Sequence, residues 1–365
     1  MISRETIQRG FPIKPLGEVA EFLDSRRRPI TASERTPGPY PYYGANGQQD
    51  SVENYIFDEP LILLAEDGGR FDQPDRGIAY AIEGKTWVNN HAHVLRPRAH
   101  AQLRYLVRVL ENYDVTPWIT GSTRAKLTKA GASKIQIPLP PLAEQKRIAR
   151  ILDAADTLRA KRRKALVQLD TLIQSTFLGM FGDPVTNPMG WEMATIGEVT
   201  TCLDRLRQPV KEADRVSGNI PYYGANGQQG WISEPLFNEP LVLVAEDGGH
   251  FGDPARGVAY RIDGPSWVNN HAHVLRPAKT VDVEYLHRVL RHYDFGPYIS
   301  GSTRAKLNQT QLNKARLSLP PLDRQRRFAA IVQSVEQQKA SQRAHLAELD
   351  TLFASLQSRA FRGHL

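Results

Sequence analysis

The sequence predicts an α/β (α+β) fold that is present twice. It consists of two mixed α/β modules, each followed by a long helix, and the two helices pair as an antiparallel intramolecular coiled coil with pseudo-twofold symmetry. Three observations lead to this prediction: a long internal repeat, strand and helix patterns shared by the two copies, and a heptad pattern at the end of each copy.

The internal repeat has a period of 180 residues. The string PYYGANGQQ at residues 41–49 returns unchanged at 221–229. The same offset relates AEDGG at 65–69, WVNNHAHVLRP at 87–97, GSTRAKL at 121–127 and LPPL at 139–142 to their copies. Solenoid repeats have units of roughly 20–50 residues, so this period indicates a duplicated domain.

Each copy begins with a mixed α/β module, at about residues 15–140 and 195–320. Apolar runs bounded by turn residues predict strands at 61–65, 77–82, 241–245 and 257–262. Apolar residues at helical spacing predict a short helix from about residue 103 to 113, with a counterpart from 283. A strand at 135–137 then runs into PLPP, which stops a strand and suits the first turn of a helix.

The second part of each copy is a predicted long helix with a heptad seam. A lone helix of this kind is marginal in water, so each seam needs a partner, and the nearest partner is the other copy. Coiling against another chain remains an alternative. The predicted seam residues are Ile148, Ile151, Ala155, Leu158, Arg162, Leu169, Leu172, Phe328, Ile331, Val335, Gln338, Gln342, Leu349 and Leu352.

Polar seam residues near the middle of both helices suggest a register. Antiparallel docking places Arg162 opposite Gln338 and Leu158 opposite Gln342, with the pseudo-twofold axis near Ala160 and Ala340. A helix over 142–177 is roughly 50 Å long at about 1.5 Å per residue. Such a rod is a plausible ruler for two half-sites on one face of duplex DNA, which recur every ~34–36 Å.

Composition limits the class of protein. Lys and Arg number 47 and Asp and Glu 39, which gives a formal net charge of +8 and is compatible with a polyanionic partner. The single cysteine, Cys202, excludes an internal disulfide framework and favours a reducing compartment. Neither a signal peptide nor a membrane-spanning run is evident, so we expect a cytoplasmic protein without membrane contact.

Enzymatic motifs are weak. The string GKT at 84–86 lacks the first glycine of a Walker loop, and its copy reads GPS. His91 and His93, with Glu66 and Asp67 upstream, could hold a divalent ion, but one histidine of such a pair is as readily a buried hydrogen-bonding group. The sequence therefore predicts no catalytic residue and no metal ligand.

A nucleic-acid interface has better support. GSTRAK combines hydroxyls with cations, which suits phosphate oxygens, and GANGQQ is expected to be a flexible loop whose amides can read adenine. The alternative is that GANGQQ only forms a structural turn. The candidate DNA-binding residues are Tyr43, Asn46, Gln48, Gln49, Arg70, Asn89, Asn90, His91, Ser122, Thr123, Arg124, Lys126, Tyr223, Asn226, Gln228, Gln229, His250, Asn269, Asn270, His271, Ser302, Thr303, Arg304 and Lys306.

The order of parts resembles the specificity subunit of type I restriction–modification enzymes over essentially the whole chain. The string LPPL at 139–142 with Gln145 and Arg147, repeated at 319–322 with Gln325 and Arg327, carries the resemblance, together with YGANG and GSTRAKL. The resemblance implies target-recognition domains at 1–140 and 182–320 and helical spacer regions at 141–181 and 321–365. It also implies that the chain binds double-stranded DNA, has no catalysis of its own and binds no cofactor.

The resemblance further implies the partners. Two modification (methyltransferase) subunits use S-adenosylmethionine to methylate an adenine in each half-site, and motor–nuclease restriction subunits use ATP and Mg²⁺ to cleave unmodified DNA. Family members usually carry dissimilar recognition domains, whereas these two are near duplicates, so we expect a bipartite, nearly palindromic site. Differences concentrate at 50–58 against 230–238 and at Arg70/His250, Asp72/Gly252 and Ala81/Arg261.

Two other functions remain open from the sequence. One is a stand-alone, metal-dependent, site-specific endonuclease. The other is a DNA-binding regulator that uses the coiled coil as a spacer.

Overall fold

The computed structural model describes residues 11–73, 77–121, 124–251, 256–300 and 305–365. The chain divides into two compact units, Met1–Lys164 with Arg343–Leu365, and Ala165–Gln342. Each unit therefore contains one α/β module and parts of both long helices. Across the described residues, none of the helices offers a stretch that is long and apolar enough to cross a bilayer.

The first unit contains strands β1 to β12 and the first three helices. The strands are β1 Ile13–Pro15, β2 Ala20–Phe22, β3 Pro37–Gly44, β4 Gly47–Val52, β5 Phe57–Asp58, β6 Leu61–Ala65, β7 Ala79–Ile82, β8 Lys85–Val88, β9 Ala92–Pro97, β10 Ile119–Thr120, β11 Lys126–Leu127 and β12 Gln136–Pro138. The helices are α1 Leu16–Val19, α2 Leu103–Leu110 and α3 Lys129–Ala132, and the long helix α4, Leu142–Phe181, begins here.

The second unit repeats this order. Its strands are β13 Glu192–Thr195, β14 Thr200–Cys202, β15 Ile220–Gly224, β16 Gly227–Ile232, β17 Phe237–Asn238, β18 Leu241–Ala245, β19 Ala259–Ile262, β20 Pro265–Val268, β21 Ala272–Pro277 and β22 Arg316–Leu319. Its helices are α5 Ile196–Val199, α6 Val283–Arg291 and α7 Gln309–Lys314, and the second long helix, α8 Leu322–Phe361, begins here.

Two four-stranded sheets form each module. In the first unit one sheet has the order β2-β9-β6-β7 and is antiparallel, and the other has the order β4-β3-β8-β5 with a parallel β3–β8 pair. Strand β6 is buried on both faces because Ile62 and Leu64 pack against the helices, while Leu61 and Leu63 pack in a separate apolar cluster with Val88. This explains its uninterrupted apolar sequence. The second unit has the equivalent sheets β14-β21-β18-β19 and β16-β15-β20-β17.

A buried glutamine joins each module to its long helix. The Gln145 side chain accepts a hydrogen bond from the Gln102 N–H at 2.8 Å and donates to the carbonyls of His100 and Pro140 at 3.0 and 2.8 Å. In the second unit Gln325 likewise accepts from the Asp282 N–H and donates to the Pro320 carbonyl. The glutamine of the repeated PPL-x-x-Q string therefore fixes the start of α4 or α8 to its module.

We expect Gln145→Leu to lower the free energy of unfolding by about 2–4 kcal/mol, because the change keeps the side-chain size but leaves buried backbone groups without partners. Denaturant unfolding measures the loss. Gln136→Leu is a matched control, because the amide of Gln136 donates only to the exposed carbonyl of Lys134. Equal losses in the two variants would contradict a joining role for Gln145.

The long helices pair in antiparallel fashion within each unit, as predicted. In the first unit Arg159 of α4 contacts Asp350 of α8 at 2.6 Å, and Arg147, earlier in α4, donates to the Leu365 carbonyl beyond the end of α8. In the second unit Asp170 contacts Lys339 at 2.6 Å, while the later Phe177 ring packs on the earlier Phe328. Arg159–Asp350 and Lys339–Asp170 occupy equivalent positions of the repeat.

The buried seam advances by four and then three residues, whereas the prediction advanced by three and then four. Ile148, Ala155, Arg162, Leu169, Phe328, Val335, Gln342 and Leu349 lie on the observed seam. Between them the prediction is wrong, because Leu152, Arg159, Ile173, Val332, Lys339 and Phe353 face inward. The residues preceding them (Ile151, Leu158, Leu172, Ile331, Gln338 and Leu352) are half-buried or exposed.

Two physical features explain why the predicted seam residues differ from the observed ones. At several positions both neighbours are apolar, as with Leu172 and Ile173, so hydrophobicity alone does not choose between them. Elsewhere the inward residue is charged: the stems of Arg159 and Lys339 lie in the seam while their heads pair with aspartates. The predicted register of the two helices is also wrong. It placed Leu158 and Arg162 opposite Gln342 and Gln338, whereas both residues line a groove with His345 and Leu349.

Candidate nucleic-acid interface

The GANGQQ string forms a tight hairpin instead of the expected flexible loop. Strands β3 and β4 are joined by a turn at Ala45 and Asn46, and Gly47 follows with a φ of 112°, which favours glycine. The hydroxyl of Tyr80 donates to the Gly44 carbonyl and fastens the end of β3. Gln48 lies opposite Tyr43 on the ladder, and Gln49 is the extra residue of a β-bulge between the Tyr43–Gln48 and Tyr42–Asp50 pairs.

The repeated polar strings meet around this hairpin. The Asn46 amide donates to the Gly68 carbonyl at 2.9 Å, and the Asn89 amide donates to Oε1 of Gln49 at 3.1 Å. Asp67 accepts from Arg124 at 2.9 Å and also bonds Nδ1 of His91. Four segments that are far apart in the sequence thus form one hydrogen-bonded surface, which we call the amide–cation surface.

The second unit repeats three hydrogen bonds of the amide–cation surface. Asn226 donates to the Gly248 carbonyl at 2.9 Å, and Asn269 donates to Gln229 at 3.1 Å. His271 bonds Asp247 at 2.6 Å. The polar strings that the two copies share are therefore the ones that build this surface.

The predicted contact residues differ in exposure. Asn89 and Asn269 are buried, and the Asn89 side chain donates to Gln49 and accepts from the His91 N–H. The prediction that these asparagines contact DNA is therefore corrected: they position the residues around them. Tyr43, His91, Tyr223, His250 and His271 are partly exposed, and Asn46, Gln48, Gln49, Arg70, Asn90, Arg124, Lys126, Asn226, Gln228, Gln229, Asn270 and Lys306 are exposed. Ser122, Thr123, Ser302, Thr303 and Arg304 lie outside the described residues.

A buried charged network lies beneath the amide–cation surface. His93 directs Nδ1 to Asp24 at 2.7 Å and Nε2 to the Leu127 carbonyl at 2.8 Å. Glu66 accepts from Arg27 at 2.6 Å and pairs with Lys126 at 3.0 Å. Asp204, His273, Arg207, Glu246 and Lys306 form the same network in the second unit.

Arg27 and Arg207 were not among the sequence candidates. They hold this network together, because Arg27 also donates to the Ala92 carbonyl at 2.7 Å and Arg207 to the Ala272 carbonyl at 2.8 Å. Both are present in the two copies 180 residues apart. This repetition was the available signal, although neighbouring arginines obscured it in the first copy.

The network favours ionised carboxylates. Burial by itself would raise the pKa of Asp24, but the hydrogen bond and charge of His93 outweigh it, and the net pKa is lowered. Burial likewise opposes ionisation of Glu66, yet hydrogen bonds from Arg27 and Lys126 lower its pKa. Asp204 and Glu246 have lowered pKa values for the same reasons.

We expect stability to fall steeply as the pH drops below about 4. These four carboxyl groups have folded pKa values below their unfolded ones (about 3.9–4.3), so the stabilisation is present above the unfolded values and is lost as the pH falls through the folded values. Denaturant midpoints between pH 7 and pH 3 measure this loss. In Asp24→Asn/Asp204→Asn we expect a flatter pH curve, and a curve parallel to the wild type would contradict the explanation.

Metal binding fits this network poorly. Among the described residues, Asp24, Glu66 and His93 form one cluster with metal-ligand spacing, and Cys202, Asp204 and His273 form another. Both ring nitrogens of His93 already face oxygen atoms, of Asp24 and of the Leu127 carbonyl, so coordination of an ion would displace one of these hydrogen bonds. Burial raises the pKa of the Cys202 thiol to about 12, which disfavours the thiolate that a metal would need.

A family model described as the type I restriction modification DNA specificity domain matches residues 9–168 and 188–351. The chain belongs to this family. The chain is thus a type I specificity subunit, as the resemblance of its motifs predicted, and its function is the recognition of DNA sequence. The endonuclease alternative is not favoured.

Relatives and solved structures agree with this assignment. A Haemophilus influenzae protein assigned as a type I restriction enzyme specificity subunit is 30% identical over 353 residues, covering 88% of this chain and 87% of the relative. The EcoprrI specificity subunit of Escherichia coli is 23% identical over 229 residues, covering 58% and 55%. The fold of this specificity subunit is similar to the S subunit of M. genitalium, with a TM-score of 0.66, 14% identity and coverage of 97% and 96%. It is also similar to a chain from a study of type I complex assembly, with a TM-score of 0.55, 19% identity and coverage of 98% and 99%.

Proposed function

We propose that each α/β module of this specificity subunit reads one half of a bipartite DNA site through its amide–cation surface. The observation that carries the proposal is that three of the polar strings make the same hydrogen bonds in each unit. In the described part of the fourth string, Lys126 and Lys306 pair with equivalent glutamates. Two near-identical reading surfaces that address opposite strands select an inverted, nearly palindromic site.

The chemistry of the amide–cation surface suits DNA. Amide side chains pair with adenine in the major groove. The exposed glutamines lie on strands with the same β-bulge in both units; they are Gln48, Gln49, Gln228 and Gln229. Arg124, Lys126 and Lys306 are exposed near these amides, and each is paired with a carboxylate. They add hydrogen-bond donors for phosphate oxygens but little net charge. The hydrogen bonds within each surface reduce the ordering that DNA binding requires.

The chain on this proposal contributes recognition and no catalysis. Two modification subunits bring S-adenosylmethionine and methylate an adenine in each half-site, and motor–nuclease subunits act on unmodified DNA with ATP and Mg²⁺. We infer this assembly from the chain's membership of the type I specificity subunit family. Methylation requires the adenine to leave the base stack, so the chain positions DNA for that distortion.

Methylation mapping tests the proposal. The chain is co-expressed with its candidate modification subunit, and single-molecule sequencing records which adenines become methylated. We expect one bipartite motif whose two halves are related by inversion. Two unrelated half-sites would contradict the near-palindrome, while plasmid cleavage by the purified chain with Mg²⁺ alone would contradict a purely recognising role.

A domain exchange assigns the halves to the modules. Replacing residues 41–97 by 221–277 gives a chain in which both modules carry the β15–β16 hairpin of the second unit and the segments around it. We expect the methylated motif to become symmetric around its spacer, with the half read by the second module on both sides. The reciprocal exchange is the control and should duplicate the other half.

A further inference from the structure

The two amide–cation surfaces differ at one corner. In the first unit Arg35 lies over the Tyr42 ring at 4.3 Å and donates from Nε to the Ile30 carbonyl at 3.2 Å. Its Nη1 pairs with the carboxylate of Asp50 at 3.2 Å. The charge of Arg35 is therefore neutralised next to the hairpin.

The equivalent arginine of the second unit has no carboxylate partner. Arg215 lies over the Tyr222 ring at 3.9 Å and donates from Nε to the Val210 carbonyl at 3.3 Å, so its stem is held in the same way. Glycine replaces Asp50 at position 230, and Nη1 donates only to the Gln229 carbonyl, at 3.4 Å. Within the described part of the chain, no acidic group pairs with Arg215. Because a Cβ at position 230 would lie 3.0 Å from its Nη1, the glycine also uncovers the guanidinium.

An exposed tryptophan follows Gly230 on β16, on the opposite face of the strand from Arg215. Trp231 replaces Ser51 and is 55% exposed, and among the described residues it has no ring or cation contact. The exposed aromatic of the first unit, Tyr55, is instead engaged, since its ring packs edge-on against Tyr40 at 5.1 Å and lies 4.8 Å from the Lys85 ammonium. An indole that is free of other rings can stack on a nucleic-acid base.

We propose that Arg215 and Trp231 form an additional DNA contact that only the second module makes. Strand β16 is the edge strand of its sheet, so DNA along this edge can reach both faces. Arg215 binds a backbone phosphate on one face, and Trp231 packs on a sugar or base on the other. This inference rests on the proposed reading function and makes the two modules unequal in their grip on DNA. Gln229 belongs to the amide–cation surface and accepts from Arg215, so the contact adjoins the bases that the hairpin reads.

Charge explains why the first module lacks this contact. Asp50 both neutralises Arg35 and places a carboxylate where a phosphate would approach. In the first unit the amide of Gln48 is also tied to the Asp50 carbonyl and to the Ser51 hydroxyl, both at 3.2 Å. Gln228 is tied only to the Gly230 carbonyl, which leaves the second hairpin more accessible.

A matched pair of arginine variants tests the inference. Arg215→Gln and Arg35→Gln both remove a guanidinium that stacks on a tyrosine, so they control each other for stability. Binding of the complex with its modification subunit to a duplex carrying the mapped site is measured over 50–200 mM salt. We expect Arg215→Gln to weaken binding about fivefold to tenfold and to reduce the slope of log K against log salt by about one, with Arg35→Gln leaving the slope unchanged.

Tryptophan fluorescence and reciprocal substitutions complete the test. We expect DNA to quench wild-type fluorescence and Trp231→Ser to lose most of that quenching and about tenfold in affinity. We expect Asp50→Gly/Ser51→Trp to make the fall of log K with log salt steeper by about one. If the wild type binds its site but Arg215→Gln and Arg35→Gln have equal slopes, this inference is overturned and the proposed function stands. The same conclusion follows if Trp231→Ser still binds DNA but no longer binds the modification subunit. A wild type without any site preference would instead overturn the proposed function.

Discussion

Truncation of Phe361 to alanine is expected to lower the free energy of unfolding of the first unit by about 3–5 kcal/mol. Phe361 ends α8 and is fully buried in the core of the first unit, where its ring lies 6.0 Å from Tyr105. The end of α8, with Phe353, Ala360 and Phe361, thus completes a core whose other buried members come from the first half of the chain. Deleting the ring leaves a cavity that the packed strands and helices around it fill only partly.

Denaturant unfolding and calorimetry measure the effect of Phe361→Ala. Leu352→Ala on the same helix is the control and should change stability by less than about 1 kcal/mol, because Leu352 is 48% exposed. Phe181→Ala removes the equivalent ring from the core of the second unit, next to Tyr285 at 4.9 Å, and should cost a similar amount. A Phe361→Ala protein as stable as Leu352→Ala would show that α8 does not complete the first core.

Replacement of Arg27 by methionine is expected to destabilise the first unit by about 3 kcal/mol or more. Arg27 is 13% exposed, and its guanidinium pairs with Glu66 at 2.6 Å and lies 3.6 Å from Asp24. Methionine keeps much of the apolar stem but removes the guanidinium that two largely buried carboxylates share, which leaves Glu66 with Lys126 and Asp24 with His93. Loss of one partner from a buried ion network costs more than the pair itself contributes. Glu66 and Lys126 then lose their positions, so recognition by the first module should weaken as well.

The neighbouring Arg28→Met is the control for Arg27→Met. Arg28 is exposed, and its described hydrogen bonds are made by its backbone, including the carbonyl that accepts from Trp87 at 2.6 Å. We expect a change below about 0.5 kcal/mol and an unchanged methylation pattern. Thermal unfolding and methylation mapping of both variants distinguish the two arginines. Similar behaviour of the two would refute the idea that the buried network supports the amide–cation surface.

Repetition made much of the amide–cation surface predictable. The strings around Asn46, His91 and Lys126 recur unchanged 180 residues later, and the structure brings each set together. Residue chemistry then indicated a DNA-facing role. Exposure was not predictable in the same way, because an asparagine in a polar string can face water, as Asn90 does, or be buried, as Asn89 is.

Adjacent arginines illustrate the same limit. Arg27 and Arg28 are indistinguishable by type and spacing, yet one lies under the surface between carboxylates and the other faces solvent. Their difference arises from strands β6 and β9, which carry Glu66 and Ala92 to the same place from residues about 40 and 65 positions away. Pairing of distant segments decides such roles.

The sequence by itself determined the duplication, the order of the α/β modules and long helices, the heptad character of these helices and the family. These properties depend on local periodicity and on repeated strings, which are visible without coordinates. Only the tertiary structure decided that Ile173 and not Leu172 is buried, and that Lys339 pairs with Asp170. It also decided that, among the described residues, Arg215 faces the Gln229 carbonyl instead of a carboxylate. The physical reason is that burial and ion pairing are properties of two surfaces in contact, and a one-dimensional pattern describes only one of them at a time.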